Sequence, residues 1–256
     1  MNESPEINRP LITPDANSER SPQSEFAAFG RVKDRPLSRI QKLVASAMQK
    51  NWSSIPHVTH HDEADISSLE LLRRKRSEEL GVKLTLLPFI MKAAVAALRR
   101  FPDLNSSLDA TRNILILKDY YHIGFAVDGP SGLLVPVVRD ADTKSVAEIG
   151  REIAEVVDLA RTKGYLPLTR MSGGSFTISS LGAVGGLGFT PIINAPEVAV
   201  MGISKTNRRP FEADGRIDWR TMLPLSLSYD HRVINGSMAG AFCVAFAEAL
   251  RQPESL

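Results

Sequence analysis

Leu225-Ser226-Leu227-Ser228-Tyr229-Asp230-His231-Arg232-Val233-Ile234-Asn235-Gly236, near the end of a 256-residue chain, is the stretch on which the reading turns. Alternation through Leu225, Leu227 and Tyr229 predicts a half-buried strand. Gly236 and the following Met238-Ala239-Gly240-Ala241-Phe242 read as the start of a closing helix. His231 stands between Asp230 and Arg232, where the strand hands over to a turn. A rigid strand aims the ring and the turn leaves it open, which suits a general base. An Asp-His-Arg run is also the composition of an ordinary ion-pair cluster, so local chemistry alone leaves both readings open.

The bulk numbers exclude more than they identify. The length supports one large domain or two small ones, and 43% hydrophobic residues are ordinary for a globular chain. A formal charge of +2 is too small to argue for nucleic acid or a membrane surface. No apolar run reaches the roughly 20 residues of a membrane span, and no apolar signal core opens the chain. The single cysteine, Cys243, excludes an internal disulfide. These features set cytoplasm as the expected compartment.

Residues 1–29 are rich in Pro, Ser, Asn and Glu and read as a flexible linker or tail; residues 30–256 carry the domain. Pro36-Leu37-Ser38 opens a helix that Pro56 ends. Residues 58–66 read as a strand. Ser67 is expected to cap a helix through Leu80, and Thr85 one through Arg100 with Pro88 in its first turn. Strands are expected over 113–118, 121–127 and 133–138, then a helix over 145–163 and strands over 175–179, 198–204 and 217–219. Helices at irregular intervals among mixed strands predict an α/β sandwich, not a doubly wound sheet. The glycine-rich run 182–188 does not fit a dinucleotide fingerprint, and Pro191 instead of a helix follows. His57, His60 and His61 invite a metal reading, but adjacent strand residues face opposite sides and no second ligand cluster completes a site, so no metal is expected.

Asp230-His231-Arg232-x-x-Asn235-Gly236 resembles the active-site signature of the dihydrolipoamide acyltransferases, the E2 components of 2-oxoacid dehydrogenase complexes, with Asn235 where aspartate is commoner. Six further runs fall in that family's order: Ile55-Pro56-His57-Val58-Thr59, Phe101-Pro102-x-Leu104-Asn105, Ile123-Gly124-x-Ala126-Val127-Asp128, Gly132-Leu133-x-Val135-Pro136-Val137, Phe176-Thr177-Ile178-Ser179 and Asn194-Ala195-Pro196-Glu197-Val198-Ala199. The resemblance covers roughly residues 30 to 252. It implies a two-layer mixed-sheet sandwich of the chloramphenicol acetyltransferase type, assembled as a homotrimer and further into a cubic or icosahedral core.

The same resemblance implies acyl transfer, acetyl in the pyruvate branch it most resembles, between coenzyme A and a lipoyl group supplied by a separate domain. A lipoyl domain and the E1 and E3 components are the implied partners. No Asp-Lys-Ala lipoylation motif occurs in the sequence. A thiol near pKa about 8.5 must lose its proton to attack a thioester, and a neutral imidazole near about 6.5 is a matched base. By resemblance His231 is that base, Ser179 donates to the oxyanion, and Asn235 orients by hydrogen bonding. Arg73, Thr85, Asp128, Ser179 and Ser180 match family contacts to coenzyme A. A catalytically silent core protein and a coenzyme A-dependent transferase with a hydroxyl or amine acceptor are the alternatives.

Overall fold

The computed structural model describes residues 26–256 except Val82, Ser131 and Ala183, so the expected linker over 1–29 lies outside the described residues apart from its last four. The chain divides into two compact units, Met1–Leu37 and Ser38–Leu256. In the first, the described residues 26–37 are exposed throughout. The second carries the fold.

Its helices are α1 (Arg39–Ser54), α2 (Ser67–Leu80), α3 (Leu87–Arg100), α4 (Val146–Lys163) and α5 (Gly236–Arg251). The strands are β1 (His57–Asp65), β2 (Ser106–Asp109), β3 (Ile114–Leu117), β4 (Ile123–Phe125), β5 (Val127–Gly129), β6 (Gly132–Leu134), β7 (Val137–Val138), β8 (Phe176–Ser180), β9 (Ala199–Ile203), β10 (Asn207–Ala213) and β11 (Arg216–Asp230). Seven strands form the main sheet in the order β1-β11-β9-β8-β4-β7, with β10 also on β11. β8 runs parallel to both β4 and β9, and the remaining pairs are antiparallel, so the sheet is mixed as expected.

One face of the sheet makes the core. Leu223, Leu225, Leu227 and Tyr229 of β11 join Met201, Ile178, Phe176 and Ile123 from neighbouring strands. Phe89, Met91 and Leu98 of α3, Ile149 of α4, and Phe242 and Phe246 of α5 close over them. Each such side chain contributes about 1.5–3 kcal/mol on leaving water. Cys243 lies inside this layer, and burial pushes its thiol up to about 12.

The second face departs from expectation. The alternation predicts a strand wet on one side, yet all nine residues from Met222 to Asp230 are buried. The segment 189–198 and the end of α1 lie over the polar side. Phe189 packs directly on Gly202, and Ile55, Ile193 and Val200 form a small apolar cluster. The serines beneath are satisfied internally: Ser228 bonds Thr59 at 2.7 Å and Ser226 bonds His61 Nδ1 at 3.0 Å. Small hydroxyl side chains let a covering loop approach closely while keeping their hydrogen bonds.

Three boundary expectations are corrected. Residues 217–219 are not a separate strand but the start of β11, which turns back from β10 through Asp214-Gly215, both at positive φ. Ser67 is the first residue of α2, not its cap; its hydroxyl donates to Asp65 Oδ1 at 2.7 Å and accepts from the Thr221 N–H at 2.9 Å. Thr85 does not cap α3 either, because Leu86 occupies the cap position and no side chain bonds there.

Candidate active site

β11 delivers Asp230 to a buried position, and the turn after it is pinned group by group. The Asp230 N–H donates to the Val198 carbonyl at 2.8 Å, and its own carbonyl accepts from Val233 and Ile234. Its carboxylate receives the Arg232 guanidinium as a fork, Nε to Oδ1 at 2.9 Å and Nη2 to Oδ2 at 2.6 Å. A buried carboxylate is tolerated when a bidentate cation answers it. Asp230 and Arg232 thus hold the turn, as the sequence suggests. The His231 N–H donates to the Pro56 carbonyl at 3.0 Å. Its ring is exposed, stands 5.9 Å from the Tyr229 ring, and forms no hydrogen bond with the described residues. The backbone is fixed and the imidazole is left available.

Asn235 is engaged in the fold itself, since its Oδ1 accepts from the Met238 N–H at 2.9 Å and caps α5. Its amide nitrogen and the second lone pair of Oδ1 remain for other partners.

Ser179, partly exposed near the end of β8, is not beside His231. In register Ser179 faces Gly202, and Gly202 faces Ser226. His231 is five residues past Ser226 along β11. That separation is roughly 17 Å along the strand, plus ~10 Å across two strand spacings. One copy of the chain cannot bring the two side chains onto one reacting group.

The residues expected at coenzyme A fall in two places. Asp128 and Ser180 are exposed and leave the sheet at the same end, since β4 and β8 are parallel with Phe125 level with Ile178. Arg73 and Thr85 lie elsewhere, where Leu84 meets Gly150 of α4; Gly129 meets Ala160 of the same helix. Those two points on α4 are about 15 Å apart, a span suited to an extended ligand. Thr85 is exposed and unengaged by any cap. Arg73 is committed: it pairs with Glu70 at 2.7 Å and donates to the Leu84 carbonyl at 2.8 Å. A hollow of about 330 Å³ beside Arg73 is lined by Arg74, Ser77, Glu78, Gly81 and Lys83, of which Arg74 and Lys83 are the exposed cations. Arg74 also lies 3.8 Å from Glu70, so both arginines face the same carboxylate.

Glu197 has chemical interest that its sequence context leaves without a role. It is buried; Oε1 accepts from Thr177 at 2.9 Å and Oε2 has no hydrogen-bond partner among the described residues. Burial pushes its carboxyl up to about 7. Nothing in an Ala-Pro-Glu run announces burial; the cover over the second sheet face causes it. Among the described residues no group of three or more His, Cys, Asp or Glu could hold a metal ion, and no helix is long and apolar enough to cross a membrane.

A mixed sheet backed by helices on one face, with an accessible histidine just past a late strand, makes an α/β sandwich. A solved chloramphenicol acetyltransferase shares it with a TM-score of 0.53 at 12% identity, covering 79% of this chain and 94% of that one, a likeness of fold alone. The chain belongs to the 2-oxoacid dehydrogenases acyltransferase (catalytic domain) family, which matches residues 29–256.

Among similar proteins, the dihydrolipoyllysine-residue acetyltransferase component of the pyruvate dehydrogenase complex from Cupriavidus necator is 50% identical over 232 residues, 90% of this chain and 41% of the relative. The Pseudomonas aeruginosa counterpart is 47% identical over 238 residues, 92% of this chain and 43% of the relative. The chain thus spans about two-fifths of the length of these curated relatives. An Azotobacter vinelandii dihydrolipoamide acetyltransferase, solved to probe a serine, a histidine and an asparagine in its catalytic mechanism, has a TM-score of 0.84 at 47% identity, covering 88% of this chain and 94% of that one. A structure of the cubic core of the pyruvate dehydrogenase multienzyme complex matches with the same TM-score, identity and coverage.

Proposed function

We propose that this chain transfers an acetyl group between the dihydrolipoyl thiol of a lipoyl domain and coenzyme A, and that it builds the oligomeric core of a pyruvate dehydrogenase complex served by E1 and E3 components. The observation that carries the reading is the His231 turn: a free imidazole on a fully pinned backbone, in a chain of this family. The serine, histidine and asparagine studied in the Azotobacter vinelandii enzyme are 52 and 4 residues apart, the spacing of Ser179, His231 and Asn235 here. That coincidence supports assigning the same trio.

In this mechanism a ring nitrogen of His231 accepts the attacking thiol's proton, and the thiolate sulfur attacks the thioester carbon. Negative charge grows on the thioester oxygen, and the Ser179 hydroxyl of a neighbouring copy donates a hydrogen bond to it. The bond to the departing sulfur breaks, and His231 returns its proton to that sulfur. Asn235 keeps α5 abutting the turn. Arg73 and Thr85 at one end of α4, with Arg74 and Lys83 beside Arg73, and Asp128 and Ser180 at the other, are the side chains proposed to hold an extended coenzyme A. Since Ser179 and His231 of one chain are too far apart, the site needs two copies, and a homotrimer supplies three such sites.

The test is acetyl transfer from acetyl-coenzyme A to free dihydrolipoamide. Wild type should be active, and His231→Ala should lose about 10²–10⁴-fold while the particle stays intact by light scattering. An intact particle without transfer in wild type would identify a silent core instead.

A further inference from the structure

Asn51 and His57 divide between them the two backbone polar groups of one buried residue, Ile193. The Asn51 Nδ2 donates to the Ile193 carbonyl at 3.0 Å, and the Ile193 N–H donates to His57 Nε2 at 3.0 Å. The other ring nitrogen, Nδ1, lies 2.8 Å from the Ile55 carbonyl. A backbone N–H can only donate and a carbonyl can only accept. The two contacts therefore fix the ring as neutral, with the proton on Nδ1 and Nε2 bare. The Trp52 ring packs against it, centroids 5.2 Å apart. Ile193 has no exposed surface, so neither of its backbone groups has water to fall back on.

This clamp lies between the two flanks of the His231 turn. Pro56, whose carbonyl holds the His231 N–H, is the neighbour of His57. Val198, whose carbonyl holds the Asp230 N–H, is five residues past Ile193. His57 is also the register partner of Asp230 between β1 and β11. A cavity of about 260 Å³ beside Asp230 and Arg232 has Ser54 and Ile55 as one wall and Ala195 to Val198 as another. Both walls are tied together at Ile193.

We propose that Asn51 and His57 are positioning residues for the acyl transfer: by locking the end of α1 to the 193–198 segment, they make the Pro56 and Val198 carbonyls grip the His231 turn from both sides. The proposal rests on His231 being the base. Neither residue touches substrate.

The assembled protein is compared as wild type, His57→Leu, His57→Gln and Asn51→Ala, by acetyl-transfer kinetics and by amide hydrogen exchange of the peptide containing Ile193. His57→Leu should lower kcat by up to about 10²-fold with KM little changed, as a small misplacement of a reacting group does, and should speed exchange at Ile193. His57→Gln, whose side-chain oxygen can accept the Ile193 N–H, should recover most of both. Asn51→Ala should act in the same direction, and its combination with His57→Leu should fall short of additive, because both act on one residue. Wild-type kcat in His57→Leu or Asn51→Ala despite faster exchange overturns the positioning role, and so does a Gln variant no better than Leu. If His57→Leu does not assemble, Asn51→Ala and His57→Gln decide on the same terms. A wild-type chain that transfers no acetyl group defeats the functional reading instead, and the exchange measurement still decides the clamp.

Discussion

The Asp230 and His231 N–H groups donate to the Val198 and Pro56 carbonyls while the imidazole forms no hydrogen bond with the described residues, so the base we propose is held without being used up. Ser179 has the complementary demand. A donor that acts only as charge develops should affect the rate and not the binding, so Ser179→Ala is expected to lower kcat by about 10²–10³-fold with KM steady for both substrates. Steady-state kinetics with each substrate varied checks this; a raised KM at normal kcat would make Ser179 a binding residue. Glu197 gives a pH test. Its carboxyl titrates near 4.5 when unfolded and at about 7 when folded. Between those values the folded state binds more protons, so stability falls as pH rises; the contribution is complete below the lower value and gone above the upper. Glu197→Gln keeps an oxygen for Thr177 and cannot ionise. Its melting temperature should therefore gain on wild type as pH climbs through that window, and a constant difference in thermal unfolding would show that Glu197 ionises normally. Among single residues, the Asp-His-Arg turn was legible because its residue types state their chemistry. The commitment of Arg73 was not, because four consecutive basic residues look alike until Glu70 and the Leu84 carbonyl select one.

The elements show where alternation is a sufficient guide. Leu223, Leu225, Leu227 and Tyr229 announce the helix-facing side of β11, and that side is the core. The opposite side reads as solvent-facing because Ser226, Ser228 and Gly202 are small or polar, whereas it is buried beneath residues 189–198. Only a long-range contact reveals that cover, and long-range contacts are what a one-dimensional pattern omits. The β10–β11 hairpin is legible only as a strand over 217–219 for a related reason: its strands are dense in arginine, so apolar periodicity does not mark them, and they pair across Asp214-Gly215. Gly202 tests the covering arrangement. A Cβ there would stand 2.8 Å from the Phe189 ring and 3.1 Å from the Ser226 carbonyl, so the ring must leave. Gly202→Ala is expected to cost about 1–3 kcal/mol by denaturant unfolding, with part recovered in a Phe189→Leu background. A neutral Gly202→Ala would mean that the loop packs loosely on this face.

For the whole molecule, the strand register gives the physical reason for the shared site proposed above. Five residues along β11 and two strand spacings separate His231 from the level of Ser179, so a single chain holds the proposed base and the proposed oxyanion donor at distant points of one sheet. A site shared between copies is the arrangement proposed above, and the register supplies its reason within this chain. With the site shared, two inactive parents can repair each other. His231→Ala chains still carry Ser179, and Ser179→Ala chains still carry His231. Unfolded together in equal amounts and reassembled, they should form trimers in which about a quarter of the interfaces unite both intact residues. The deciding measurement is acetyl transfer by such mixed assemblies against each parent reassembled alone. A shared site predicts activity well above both parents, approaching that share of the wild-type rate, whereas mixed assemblies no more active than the parents would contradict a site shared between copies.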